Sequence, residues 1–276
     1  MKKIQVDHID LKLEAGKKLF FASDFHLGSP AYDKSRERER KVIAWIEAHE
    51  AEMGALFLLG DVFDYWFEYR HVVPKGFVRL FGTLARLTDK GIPVFFFCGN
   101  HDTWVRNYFQ QELGLRVCEQ NARLWVDGVK FYLGHGDGLG PDDKGYKFIK
   151  RLFAARWSRS LFAMLHPWTG YVLASGFSRR SRKADELKSD RKAYETKKNE
   201  NLRYFMRETL DEEPDIRYFI FAHRHWPQLV PIEALDENTP TDCQYLNAGD
   251  WLQYFSYGVY DGHTLQLQGE CTEKQF

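Results

Sequence analysis

Five short polar runs, each following a stretch of apolar residues, hold most of the side chains in this sequence that can do chemistry. They are Asp24 and His26; Asp61 and Asp64; Asn100, His101 and Asp102; His135; and His223 and His225. The set offers carboxylates, imidazoles and an amide, and no thiolate. Hard or borderline divalent cations (Mn²⁺, Fe²⁺, Zn²⁺) take such donors, whereas a structural zinc site draws on cysteine. There are too many ligands for one ion and about enough for two. Two ions held ~3.5–4 Å apart share a carboxylate and activate a water for attack on phosphorus. A single strand-end histidine is more often a hydrogen-bonded surface or core residue, and one Asp-x-His match arises readily by chance. Five runs in order, all with compatible donors, do not.

Each run needs an element to present it. Leu56–Leu59 is continuously apolar and leads into Gly60, the pattern of a strand buried on both faces. Gly60 permits a sharp turn at the strand end, which puts Asp61 and Asp64 where open α/β sheets bind their ligands. Leu19–Ala22, Pro93–Cys98, Val129–Leu133 and Tyr218–Ala222 repeat the arrangement for the other four runs. Arg36–Met53 reads as a helix with Val42, Ile43, Ile46 and Met53 on one face and its Arg-Glu-Arg-Glu-Arg start toward water. Pro74–Lys90 reads as a second, with Phe77, Leu80, Phe81, Leu84 and Leu87 at helical spacing and Gly91 as its stop. Residues 4–13 alternate weakly, as an edge strand would. Asp127-Gly128 predicts a hairpin turn within Leu124–Leu133, and Asp261-Gly262 another in a β-rich tail over 243–268.

The 276 residues and 32.5 kDa allow one large domain or one domain with an insertion. A formal charge of zero predicts no polyanion partner for the chain as a whole. Cys98, Cys118, Cys243 and Cys271 form no Cys-x-x-Cys pair and fit reduced thiols of a cytosolic protein. The N-terminus lacks the apolar core of a signal peptide, and no stretch approaches the ~20 apolar residues of a spanning helix.

The even charge hides an asymmetry. Residues 144–203 carry 16 Lys and Arg against 5 Asp and Glu, interleaved with aromatics such as Phe148, Phe153, Trp157 and Trp168. We expect a single domain over 1–276 with a helical insertion at 141–203. Following His135, the insertion would hang over the metal site. Three readings compete: a lid binding a diphosphate and acyl chains, a patch on an anionic membrane surface, or a solvated helical hairpin. At ~1 kcal/mol for each juxtamembrane Lys or Arg, such a surplus matters for lipid binding even if half of it points away. A nucleic-acid patch ranks last, because the apolar content exceeds what a backbone-tracking surface needs.

Asp24-x-His26, Gly60-Asp61-x-x-Asp64, Gly99-Asn100-His101-Asp102, Gly134-His135 and His223-x-His225 resemble, in the same order, the signature of the calcineurin-like metallophosphoesterases. The resemblance implies a four-layer α/β/β/α sandwich of two mixed sheets with a dinuclear site at the strand ends. It assigns Asp24, His26, Asp61 and His225 to one ion and Asp61, Asn100, His135 and His223 to the other, with Asp61 as the bridge. It makes His101 the candidate general acid for the leaving oxygen, oriented by Asp64. The family's usual Gly-His-x-His reads Ala222-His223-Arg224-His225 here, which keeps both ligands.

Within that family, Ser23-Asp24-Phe25-His26-Leu27-Gly28, Phe63-Asp64-x-Trp66 and His135-Gly136-Asp137 followed by Asp142-Asp143-x-x-Tyr146 look like the UDP-2,3-diacylglucosamine diphosphatases of lipid A synthesis. Those enzymes release UMP and an acylated sugar 1-phosphate. Many carry Arg after the metal-binding Asn, where this chain has His101. The likeness implies two divalent ions, Mn²⁺ first among them, and an acylated UDP-sugar substrate. It also implies a cytoplasmic enzyme held peripherally at the inner membrane, with no nucleic-acid partner and no identifiable protein partner. Candidate substrate contacts are Asp143, Tyr146, Lys147, Arg179, Arg182 and Lys188. The competing readings are a phosphomonoesterase or cyclic-nucleotide phosphodiesterase, which His101 favours, and a non-catalytic scaffold, which the complete ligand set disfavours.

Overall fold

In the computed structural model, which describes residues 7–141, 144–186, 191–232 and 242–269, the apolar runs form two six-stranded sheets. The first joins β2 (Lys18–Ala22), β3 (Met53–Leu58), β4 (Val94–Phe97) and β5 (Arg116–Cys118) in parallel. The antiparallel hairpin of β11 (Ser256–Tyr260) and β12 (Leu265–Gly269) extends it beyond β2. The second sheet runs β1 (Asp7–Leu11), β6 (Ala122–Val126), β7 (Val129–Leu133), β8 (Ile216–Phe221), β10 (Gln244–Asn247), β9 (Gln228–Pro231). β6 and β7 are antiparallel across Asp127 and Gly128, both at positive φ as a two-residue hairpin turn requires. β1 lies at the sheet edge, as its weak alternation predicts.

The sheets pack face to face. Phe21, Phe57, Phe95 and Phe97 of the first meet Leu124, Phe131, Leu133 and Ile220 of the second in one apolar layer. On the first sheet's outer face, α1 (Tyr32–His49), α2 (Val78–Asp89) and α3 (Tyr108–Leu113) bury Val42, Ile46, Leu80, Leu84 and Phe109. On the second sheet's outer face, Leu202, Met206 and Leu210 of α7 (Arg191–Glu212) cover Phe219, Phe221 and Tyr245. The result is the four-layer α/β/β/α sandwich. Between β7 and α7 stand three further helices, α4 (Lys144–Ala154), α5 (Arg156–Ala163) and α6 (Pro167–Glu186).

Several local expectations are corrected. Met53 opens β3 instead of closing the first helix, because α1 ends at His49 and a short 3₁₀ turn, Glu50–Glu52, intervenes. α2 begins at Val78, with Phe77 left-handed at its N-cap. Cys98 follows β4 instead of lying within it. The charged start of α1 is not wholly solvated, since Arg38 and Glu39 are buried. Glu39 pairs with Arg36 and accepts from the Leu80 N–H, tying α1 to α2.

Candidate metal centre

The five polar runs leave the carboxyl ends of β2, β3, β4, β7 and β8, three from one sheet and two from the other. Because the sheets face each other, these ends converge at one rim. Main-chain hydrogen bonds lock the runs together: Asp24 N–H donates to the Gly60 carbonyl, His26 N–H to Asp61 and Ala222 N–H to His135, at 3.1, 2.9 and 2.9 Å. Two glycines permit the approach. A Cβ on Gly60 would lie 2.7 Å from His135 Nδ1, and one on Gly99 would overlap Asp61 Oδ1.

Five of the seven predicted metal ligands adopt left-handed backbone: Asp24 (φ 52), His26 (φ 43), Asp61 (φ 51), His223 (φ 67) and His225 (φ 56). For non-glycine residues this costs about 1–2 kcal/mol each, strain of a kind that concentrates at functional sites. The side chains form two triplets of mutually close donor atoms, Asp24–His26–His225 and Asp61–His135–His223, with His26–Asp61–His101 as a third that links them. Asn100 joins the second through its Oδ1, 3.1 Å from His135 Nε2. Asp61 lies between the triplets, its Oδ2 3.4 Å from His135 Nε2 and 3.9 Å from His26 Nε2.

The donors fit divalent cations. Asp24 Oδ1 and both ring nitrogens of His26 are buried without a hydrogen-bond partner. Such groups are costly to leave unsatisfied, and a cation beside Asp24 Oδ1 and His26 Nε2 would satisfy those two. Burial opposes protonation of His26, yet Asp24, Asp64 and Asp61 overcome it and raise the ring to about 10. His135 is raised to about 10 against the same burial, chiefly by Asp61. Burial likewise opposes ionisation of Asp61, but His135 and His101 hold its carboxyl well below the ordinary range.

His101 lies at this rim, half-buried. Its Nδ1 is 3.1 Å from the main-chain carbonyl of Asp64 and 3.8 Å from the Asp64 carboxylate. Orientation therefore comes through the carbonyl oxygen, while the carboxylate stands between His101 and His26 Nδ1, at 3.6 Å from the latter. Burial, and after it the neighbouring His26, lower the His101 pKa, while Asp61 and Asp64 act to raise it.

Three supporting residues carried no role in the sequence reading. Asp102 accepts from the N–H groups of Gly99, Asp61, Val62 and Phe63, at 2.7, 3.2, 2.8 and 3.4 Å, stapling the β3 and β4 loops. Burial and Asp61 raise its carboxyl to about 7, against the Gly99 and Phe63 donors and His135. Arg38 reaches from α1 to the carbonyl oxygens of Phe25, His26 and Ser29. Asp250 Oδ2 lies 3.1 Å from His225 Nδ1. A weaker signal for Asp250 did exist: Gly249-Asp250 follows Tyr245-Leu246 as Gly60-Asp61 follows its apolar run, with Asn247 interrupting. Arg38 had none, since a charge run reads as solvated until tertiary contacts are known.

The helices after β7 rest on the loops of the centre. Lys150 of α4 pairs with buried Asp137 at 2.6 Å, two residues beyond His135. Trp104 Nε1 donates to the Phe153 carbonyl at 2.9 Å, and its ring packs on Phe162 of α5. Phe67 packs on Phe162, and Tyr65 on Tyr171 of α6. Of the predicted substrate contacts, Lys147 donates to the Gly140 carbonyl. Tyr146 lies on α4, and Arg179 and Arg182 on α6. Asp143 and Lys188 lie outside the described residues.

Comparison with known proteins agrees with this arrangement. The chain is 39% identical over 260 residues to the UDP-2,3-diacylglucosamine hydrolase of Porphyromonas gingivalis, covering 91% of this chain and 97% of that one. The enzyme of the same name from Nitrosococcus oceani is 32% identical over 150 residues, covering 54% and 58%. A solved phosphoesterase from E. coli aligns over 90% of each chain with 17% identity and a TM-score of 0.42. The profile of the calcineurin-like phosphoesterases matches residues 17–227. With that match covering strands of both sheets and all five strand-end runs, the chain belongs to the calcineurin-like phosphoesterase family.

Proposed function

We propose that this chain hydrolyses the pyrophosphate of UDP-2,3-diacylglucosamine, releasing UMP and the acylated sugar 1-phosphate. The observation that carries the substrate is the juxtaposition of a phosphoesterase-type centre with helices that expose large apolar side chains. Phe148, Trp157, Leu161, Met164 and Trp168 are between 58% and 82% exposed. Exposed apolar surface of this extent marks a ligand or membrane contact. The P. gingivalis relative bears the matching name over nearly its full length.

Asp24, His26, Asp61 and His225 would hold one divalent ion and Asp61, Asn100, His135 and His223 the other; Mn²⁺, Fe²⁺ and Zn²⁺ all suit these donors. When bound, such a pair neutralises phosphate charge and lowers the pKa of water. His101 serves the leaving group. A carbonyl only accepts, so the Asp64 carbonyl commits His101 Nδ1 as a donor, and proton transfer falls to Nε2. Residues 141–203 act as the lid, with Asp143, Tyr146, Lys147, Arg179, Arg182 and Lys188 as its candidate contacts with the diphosphate. No helix among the described residues is long and apolar enough to cross a membrane. Access to a lipid substrate then falls to the basic, aromatic lid resting on an anionic membrane surface.

The test is UMP release from the diacylated UDP-sugar in the presence of Mn²⁺, compared with an unacylated UDP-sugar and an aryl phosphate. The acylated substrate should be turned over far faster. Equal rates on all three would sink the lipid assignment and leave the metal centre standing.

A further inference from the structure

We infer that Asp250 is a positioning residue that fixes the tautomer of His225 and so sets the affinity of one of the two metal positions; this rests on the metal-centre reading above. Its Oδ2 lies 3.1 Å from His225 Nδ1, and the opposite ring nitrogen, Nε2, lies 3.5 Å from Asp24 Oδ1. An ionised carboxylate only accepts hydrogen bonds. The shared proton therefore sits on Nδ1, and Nε2 keeps the lone pair a cation requires. A carboxylate that accepts from the far nitrogen of a ligating imidazole fixes the orientation of the ring.

Asp250 is well placed to hold this geometry. It is 2% exposed, and its other oxygen, Oδ1, accepts from the N–H groups of Leu252, Gln253 and Tyr254 at 3.1, 2.9 and 3.2 Å. The turn so capped packs on the first ligand run: Trp251 N–H donates to the Asp24 carbonyl, and the Trp251 ring meets Phe25 edge-on. One carboxylate thus divides its work, Oδ1 for the turn and Oδ2 for the ring. His135 obtains the same service from a different source, its Nδ1 lying 2.8 Å from the Leu59 carbonyl. Of the two imidazoles beside Asp24, His225 has its carboxylate partner within hydrogen-bond distance, whereas the Asp64 carboxylate stands 3.6 Å from His26 Nδ1.

Asp250→Asn separates the two roles. The amide oxygen can keep the turn, while the NH₂ replaces Oδ2 and can only donate. His225 Nδ1 must then accept, the proton moves to Nε2, and the lone pair facing Asp24 is lost. The primary readout is the ¹⁵N spectrum of the His225 ring in metal-free protein at about pH 8.5, above the ordinary imidazole range. The wild type should show the Nδ1–H tautomer and Asp250→Asn the Nε2–H tautomer, with circular dichroism unchanged. Calorimetry with Mn²⁺ should then show one of two sites weakened by about 10–100-fold. A wild-type ring protonated at Nε2, or a folded variant that keeps both the tautomer and the two affinities, overturns the inference. If the variant does not fold, the wild-type tautomer alone decides. If the wild type binds no Mn²⁺, the metal reading fails while the tautomer still reports on Asp250.

Discussion

The guanidinium of Arg38 donates to the carbonyl oxygen of His26 at 3.0 Å, and also to those of Phe25 and Ser29. A helix residue of α1 thereby holds the loop in which Asp24 and His26 adopt positive φ. Truncation in Arg38→Ala removes these donors; the His26 carbonyl keeps the Ser29 N–H at 3.3 Å, while those of Phe25 and Ser29 lose the guanidinium, at about 1–3 kcal/mol for a group so orphaned. Urea unfolding of metal-free protein should show a loss of about 3 kcal/mol. Arg38→Lys, with rotatable donors, should recover part of it. Unchanged stability in the alanine variant would mean that water reaches those carbonyls.

Gly99 sits against the Asp61 carboxylate with no room for a methyl group. In Gly99→Ala either Asp61 or the β4 loop must move. Metal binding should weaken by more than the ~10–100-fold that follows loss of a residue behind a ligand, while far-UV circular dichroism stays that of the folded protein. Wild-type metal content in a folded Gly99→Ala protein would contradict the role of Asp61 between the two triplets.

Metal binding should release protons. Carboxylates overcome burial to raise His26 and His135 to about 10, so metal-free protein near neutrality holds protons that a cation must displace. The sign follows from the raised values. Their stabilising contribution to the metal-free fold is complete below the ordinary imidazole pKa of ~6.5 and is lost as pH rises through about 10. The metal-free thermal midpoint should fall between about pH 7 and 10, while Mn²⁺ affinity rises over the same interval. Calorimetry in two buffers of different ionisation enthalpy reads the released protons directly. Equal heats in the two buffers would count against protonated rings.

Trp104 joins the β4 loop to helices α4 and α5 through the Phe153 carbonyl and the Phe162 ring. Trp104→Ala should loosen α4 and α5, so that limited proteolysis within 144–176 accelerates several-fold. Turnover of the acylated substrate should fall about tenfold, the equivalent of ~1.4 kcal/mol. Aryl phosphate hydrolysis should change little. An equal loss on both substrates would place the effect of Trp104 in the centre itself.

Much of the architecture is legible in sequence because period and punctuation are local properties. Apolar runs closed by Gly-Asp, Gly-Asn or Gly-His announce buried strands ending in ligands, and Asp127-Gly128 announces its hairpin. Residue type also points to oxygen and imidazole chemistry before any coordinates exist. What the sequence by itself does not determine is which polar residue is buried and against what. Arg38 and Glu39 stand in a run of alternating charge indistinguishable from a solvated helix face. Asp250 follows a sixth strand end, yet its tie to His225 spans 25 residues of chain. Whether Asp64 meets His101 through its carboxylate or its carbonyl depends on backbone direction at the rim, not on residue type. Only tertiary packing decides these, because hydrogen bonding to a main-chain carbonyl or a distant imidazole is a matter of position in space, and two face-to-face sheets bring together residues the chain keeps far apart.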